Sequence, residues 1–189
     1  VGKEVDGDRI YNGAVDNATG SAALLEIAEA FASLPAPPRR SVVFIATTSE
    51  EQGLLGAYHY ADHPVFPLEN TLAVINMDAL FPFGRQNGMT VTAMGSSELE
   101  DYLKVAVEEQ GRQLQPDPSP EHGAFFRSDH YPFAKKGVPA IFAVGGPLED
   151  PPPSEEMIEA FNEFISTKYH KPADELNEEW NFGGILQDA

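Results

Sequence analysis

Five side chains stand where metal-assisted chemistry could be built. Glu50 and Glu51 follow within a few residues of the apolar run 41–47 (SVVFIAT), and Asp78 comes directly after 71–77 (TLAVINM). Asp16 lies in the Gly- and Asn-rich stretch NGAVDNATG, and His170 lies in KYHKPADEL. In open α/β sheets ligands bind in the crevice beyond the carboxyl ends of the strands, so two strands would deliver acids to one edge. Carboxylates brought together repel one another unless a cation lies between them. Taken singly, each residue has a plainer use. Asp16 suits a helix cap or a turn, and Glu50 with Glu51 suits a solvated pair opening a helix. Asp78 suits a turn at a strand end, and His170 beside Tyr169 suits a packed or exposed ring.

The elements that must position these residues are readable from periodicity. Leu24, Ile27, Ala28 and Phe31 recur at helical spacing and predict an amphipathic helix over 21–34, stopped by the prolines of 35–38. The β-branched runs 41–47, 71–77 and 138–144 (VPAIFAV) predict strands buried on both faces. The segment 89–94 alternates more and predicts a strand nearer an edge. Helices are predicted over 54–61, over 97–110 with Gly111 as its stop, and from Ser154 through Ile165. Residues 1–12 and 147–153 read as loops. Buried strands alternating with helices predict a three-layer α/β/α sandwich around a mostly parallel sheet.

Composition narrows the chemistry. The 189 residues suit one compact domain, and 42% hydrophobic with 22% charged residues is ordinary for a globular protein. No apolar run approaches the ~20 residues a membrane helix needs. Twelve Lys and Arg against 30 Asp and Glu give a formal charge of -18. Such a surface repels phosphate backbones and anionic lipid headgroups, so neither nucleic acid nor a membrane is an expected partner. There is no cysteine. Thiolate zinc sites, thiol catalysis and disulfides are therefore excluded, and a metal would be held by carboxylate and imidazole.

Five stretches, NGAVDNATGSAALLEIAEAF, FIATTSEEQGLLGA, VINMDAL, RSDHYPFAKKGVPAIF and YHKPADEL, occur in an order that resembles the co-catalytic two-zinc exopeptidases. That family includes bacterial leucyl and S-type aminopeptidases, glutamate carboxypeptidase II, glutaminyl cyclases and the transferrin receptor. The resemblance runs from about residue 7 to about residue 176. It implies that Asp16 bridges two zinc ions, that Glu51 and His170 bind one of them and that Asp78 binds the other. It implies that Glu50 is the general base, and that Ser128, Asp129, His130 and Tyr169 line the site or support it through hydrogen bonds. The implied activity is hydrolysis of peptide substrates, most simply release of N-terminal residues. Zinc lowers the pKa of a bound water from ~15.7 toward ~7 and polarises the scissile carbonyl, so no serine or cysteine nucleophile is needed.

One feature departs from the family pattern. The family takes a further zinc ligand from a His-x-Asp motif on an earlier strand, and no histidine precedes Asp16. The expectation is a single catalytic domain over 1–189, truncated at its N-terminus and at its C-terminus. It would retain one zinc, or none, of the two in an intact domain, and be poorly active. The chain opens on Val1 with no charged-then-apolar leader, while the resemblance implies a periplasmic or secreted protein. His59 and His63 have the helical spacing of a zinc pair, but Tyr60 stands where a zincin needs glutamate. His122 reads as an exposed loop residue, and Phe125, Phe126 and Phe133 as a pocket wall or as core. Competing readings are a carboxypeptidase or a glutaminyl cyclase on the same site, and a non-catalytic relative resembling the transferrin receptor. An acidic calcium-binding module is a plainer alternative, although no Asp-x-Asp-x-Asp-Gly loop occurs.

Overall fold

The computed structural model describes residues 2–148 and 152–189. Val1 and residues 149–151, the middle of the predicted loop 147–153, lie outside them. The chain forms two compact units: Val1–Phe44 with Met77–Gln86 and Pro147–Ala189, and Ile45–Asn76 with Asn87–Gly146.

In the first unit, helix α1 (Ala18–Ala32) begins where the side chain of Asn17 accepts the amide of Gly20 at 2.9 Å, satisfying one of the free N–H groups of the first turn. Its Ala23 packs with Leu80 and with Ile185 of a short helix, Ile185–Asp188, and Met77 borders this cluster. A longer helix, Glu155–Thr167, starts at Ser154, whose hydroxyl accepts the Met157 amide at 3.2 Å. Phe164 of that helix is buried and meets Phe81 and Phe83 edge to face.

The second unit holds the sheet. Strands β1 (Val74–Asn76), β2 (Gly88–Val91), β3 (Gln113–Pro116) and β4 (Ala140–Gly146) lie in the order β1-β4-β2-β3. The β1–β4 and β2–β3 pairs are parallel, and β2–β4 is antiparallel. Helix α2 (Leu55–Asp62) packs on α4 (Tyr131–Lys135), and α3 (Leu99–Glu109) lies against β3 and β4. Leu54, Ala57, Phe133 and Val138 form the buried cluster here. Gly111 ends α3 as predicted, with φ 71°. Among the described residues no helix is long and apolar enough to cross a membrane.

The predicted α/β class and the mostly parallel sheet hold, with two of three strand pairings parallel. Three strand expectations need correction. Residues 41–47 pair with no strand among the described residues, and Val42 and Val43 are exposed. An apolar, β-branched run favours extended backbone, but the ladder that makes it a buried strand is supplied by its neighbours. Residues 71–77 give a strand of only three residues at the sheet edge, with Ile75 73% exposed, so it is not covered on both faces. Conversely β2, expected near an edge, lies between β4 and β3, with Met89 and Val91 buried. The edge is taken instead by β3, whose polar residues Gln113 and Gln115 carry no strand signal and whose Pro116 suits an outer position.

Candidate functional site

In the first unit the loop ahead of α1 and the loop after the Glu155–Thr167 helix bring Asp16 and His170 together. The Asp16 Oδ2 and His170 Nε2 atoms are 3.0 Å apart, with the carboxylate largely buried and the imidazole half-exposed. Two ligands of one tetrahedral zinc, each at ~2.0–2.1 Å, stand ~3.4 Å from each other. A carboxylate oxygen and an imidazole nitrogen at 3.0 Å therefore fit neighbouring positions on a common ion with a slight opening. The His170 backbone is left-handed, φ 57°, a conformation seldom adopted by non-glycine residues and enriched at functional positions. The Tyr169 ring stacks on the His170 ring with centroids 3.7 Å apart.

The same loop segments are held from several sides. The Asn17 side-chain amide donates to the carbonyl of Met77 at 3.2 Å, joining the Asp16 loop to the segment that carries Asp78. The Asp78 carboxylate accepts the amide of Ala79 at 2.9 Å. Thr19, buried, donates to the Val15 carbonyl at 2.7 Å and accepts the Leu80 amide at 2.9 Å. Sequence reasoning gave no role to Asp174, yet its buried carboxylate accepts the amides of Val15 and Asp16 at 2.9 and 3.0 Å. Its only signal was membership of the KYHKPADEL stretch.

Glu50 and Glu51 belong to the second unit, on a 3-10 turn, Glu50–Gln52. Left-handed Ser49 (φ 58°) and Leu54 (φ 59°) bracket it, and the Glu50 carbonyl accepts the amides of Gly53 and Leu54 at 2.9 and 2.8 Å. Glu50 is half-buried and Glu51 exposed. The RSDH stretch braces two chain segments of this unit. Ser128 accepts from the Asn76 side chain at 2.7 Å at the end of β1, and Asp129 accepts from the hydroxyl of Thr47, just ahead of the glutamates.

His130 is fully buried, and neither ring nitrogen has a hydrogen-bond partner. Its ring meets those of Phe125 and Phe142 at 4.7 and 5.3 Å. Burial disfavours the charged imidazolium and pushes its pKa down to about 4, so the ring is neutral at ordinary pH. Phe133 proves to be core. The His59 and His63 rings stack with centroids 4.8 Å apart on an exposed helix end, and His122 is exposed on a 3-10 turn.

The chain belongs to peptidase family M28, whose family model matches residues 2–185. It is 28% identical to the aminopeptidase YwaD of Bacillus subtilis over 168 residues, which cover 87% of this chain and 33% of YwaD. It is 32% identical to the mouse (Mus musculus) aminopeptidase NAALADL1 over 108 residues, 54% of this chain and 14% of that protein. The chain thus spans a third or less of these curated relatives. Among solved structures, the aminopeptidase LapA of Legionella pneumophila shares the fold with a TM-score of 0.67 at 19% identity, over 96% of this chain and 45% of LapA. The predicted resemblance to two-zinc exopeptidases and the predicted fold class are both borne out.

Proposed function

We propose that this chain carries the metal site of a zinc-dependent aminopeptidase, in which Asp16, Glu51 and His170 hold one ion and Glu50 is the general base. The observation that carries the reading is the 3.0 Å approach of the Asp16 carboxylate to His170 within one unit, in a member of a peptidase family. Bound zinc would supply Lewis-acid activation of a water and of the scissile carbonyl. Hydrolysis joins the water oxygen to the carbonyl carbon and breaks the C–N bond. Glu50 takes a proton from the water and delivers it to the leaving nitrogen, which departs as an amine. His170 is fixed by its stack on Tyr169, and Asp16 by the hydrogen bonds of its loop.

A second ion would draw on Asp16 and Asp78. The substrates are peptides with a free N-terminus, and the site of action is periplasmic or extracellular. Glu50, Glu51, Asp78, Asp16 and His170 are all present, which favours an enzyme over a recognition protein that has dispensed with its ligands.

The test is hydrolysis of leucine p-nitroanilide with zinc added and after chelation, beside an acidic C-terminal peptide and an N-terminal glutamine peptide. Zinc-dependent release from the first substrate alone supports the proposal. Cleavage of the second or cyclisation of the third would move the chain to the carboxypeptidases or the cyclases. No turnover of any, with metal bound, would favour a recognition role.

A further inference from the structure

Asp174 is a carboxylate 2% exposed, and a buried charge is costly unless hydrogen bonds answer it. Here the answer comes from the backbone of one loop. The Val15 amide donates to its Oδ1 at 2.9 Å and the Asp16 amide to its Oδ2 at 3.0 Å. The Ala14 amide donates to the Asp174 carbonyl at 3.1 Å. Three consecutive amides of the loop that carries Asp16 thus end on a single residue, and the two that reach its carboxylate, from Val15 and Asp16, are hydrogen bonds to a charged acceptor, the stronger sort.

The other end of the clamp is equally fixed. The Asp174 amide donates to the Lys171 carbonyl at 3.1 Å and the Lys171 amide to the Lys168 carbonyl at 2.9 Å, so Asp174 and His170 ride on one short closed loop. Thr19 grips the Val15 carbonyl from the helix side at 2.7 Å. The spacing between the Asp16 carboxylate and the His170 imidazole is therefore set by a residue that need touch neither.

We infer that Asp174 is the positioning residue of the metal site: it holds the Asp16 carboxylate against His170 before any ion arrives. The inference rests on the reading that Asp16 and His170 bind zinc. A ligand ordered in advance loses less freedom on binding, and replacing the outer partners of metal ligands typically costs ~10–100-fold in affinity. Alanine at 174 leaves two amides without their acceptor. Asparagine keeps an acceptor for one and presents its own N–H groups to the other, so its effect falls between.

The experiment is a metal-buffered titration of the chain with cobalt(II), read by its visible absorption, for the wild type, Asp174→Ala, Asp174→Asn and Asp16→Asn, with melting curves of the metal-free proteins. The inference predicts that Asp174→Ala binds cobalt ~10–100-fold more weakly with an altered spectrum, and Asp174→Asn less severely so. Wild-type affinity and spectrum in a folded Asp174→Ala, whatever its melting temperature, would show that Asp174 only supports the fold and would overturn the inference. If Asp174→Ala does not fold, Asp174→Asn decides by the same two readouts. A wild type that binds no cobalt, or an Asp16→Asn variant that binds it equally well, would overturn the zinc reading itself and the inference with it.

Discussion

The Nε2 atom of His170 stands 3.0 Å from the Oδ2 atom of Asp16, so two residues from opposite ends of the sequence meet in one unit at ligand distance. Removing either should remove the metal. For a ligand that binds only the folded state, stabilisation grows as the logarithm of its concentration and reaches ~2.7 kcal/mol at one hundred times Kd. Zinc should therefore raise the melting temperature of the wild type and chelation should reverse the rise. Asp16→Asn and His170→Ala should show no shift at the same zinc concentration. Thermal melting with and without zinc checks this, and equal shifts in the variants would remove these two residues from the ligand set.

Glu50 is assigned to proton transfer and not to the ion. Glu50→Gln keeps the shape and removes the base, so kcat should fall by ~10²–10⁴ while zinc affinity stays near the wild-type value. Parallel activity and zinc titrations separate the two effects. A loss of zinc in this variant would make Glu50 a ligand.

Gly56 controls the approach to the glutamate turn. Its amide donates to the Thr48 carbonyl at 2.9 Å, and a Cβ at this position would lie 2.5 Å from the Thr48 nitrogen and 2.6 Å from its oxygen. Alanine must push the backbone of residues 48–49 away, at a cost of ~1–3 kcal/mol. Because a displacement of about 1 Å can cost ~10²-fold in rate, Gly56→Ala should lose activity out of proportion to stability. Steady-state rates measured well below the melting temperature test this.

His130 predicts a pH dependence of stability. Its folded pKa, about 4, lies below the ordinary value of 6.5, so the unfolded chain takes up the proton first as the pH falls. Stability from this group is complete above about pH 6.5 and drains away down to about pH 4. The loss is on the order of 3 kcal/mol. His130→Phe should flatten the curve over that window. Urea unfolding at pH 7 and at pH 4.5, wild type against variant, measures it, and identical pH slopes would contradict the assignment.

Much of this was legible in the sequence because it depends on local order. The helix expected over 21–34 forms over Ala18–Ala32, capped by Asn17 and not by its neighbour Asp16, and the strand expected over 138–144 forms over Ala140–Gly146, while motif order alone pairs Asp16 with His170, which stand 3.0 Å apart. What was not legible depends on partners far along the chain. The run 41–47 has every strand residue but no ladder, while Gln113–Pro116 has no strand pattern but lies beside β2. His130 was expected at the site on its neighbours Ser128 and Asp129, yet its ring packs between aromatic side chains. Asp174 carries no signal of its own in the sequence, because the amides its carboxylate accepts come from a loop at the other end of the chain.

The proposed ligand set of Asp16, Glu51 and His170 is open to a direct crystallographic test. Anomalous diffraction at the zinc edge from zinc-soaked crystals measures this directly. The expected result is a peak ~2.0–2.2 Å from a carboxylate oxygen of Asp16, a carboxylate oxygen of Glu51 and Nε2 of His170. A peak that touches Asp16 and His170 while Glu51 stays out of reach, or a peak elsewhere on the chain, would contradict it.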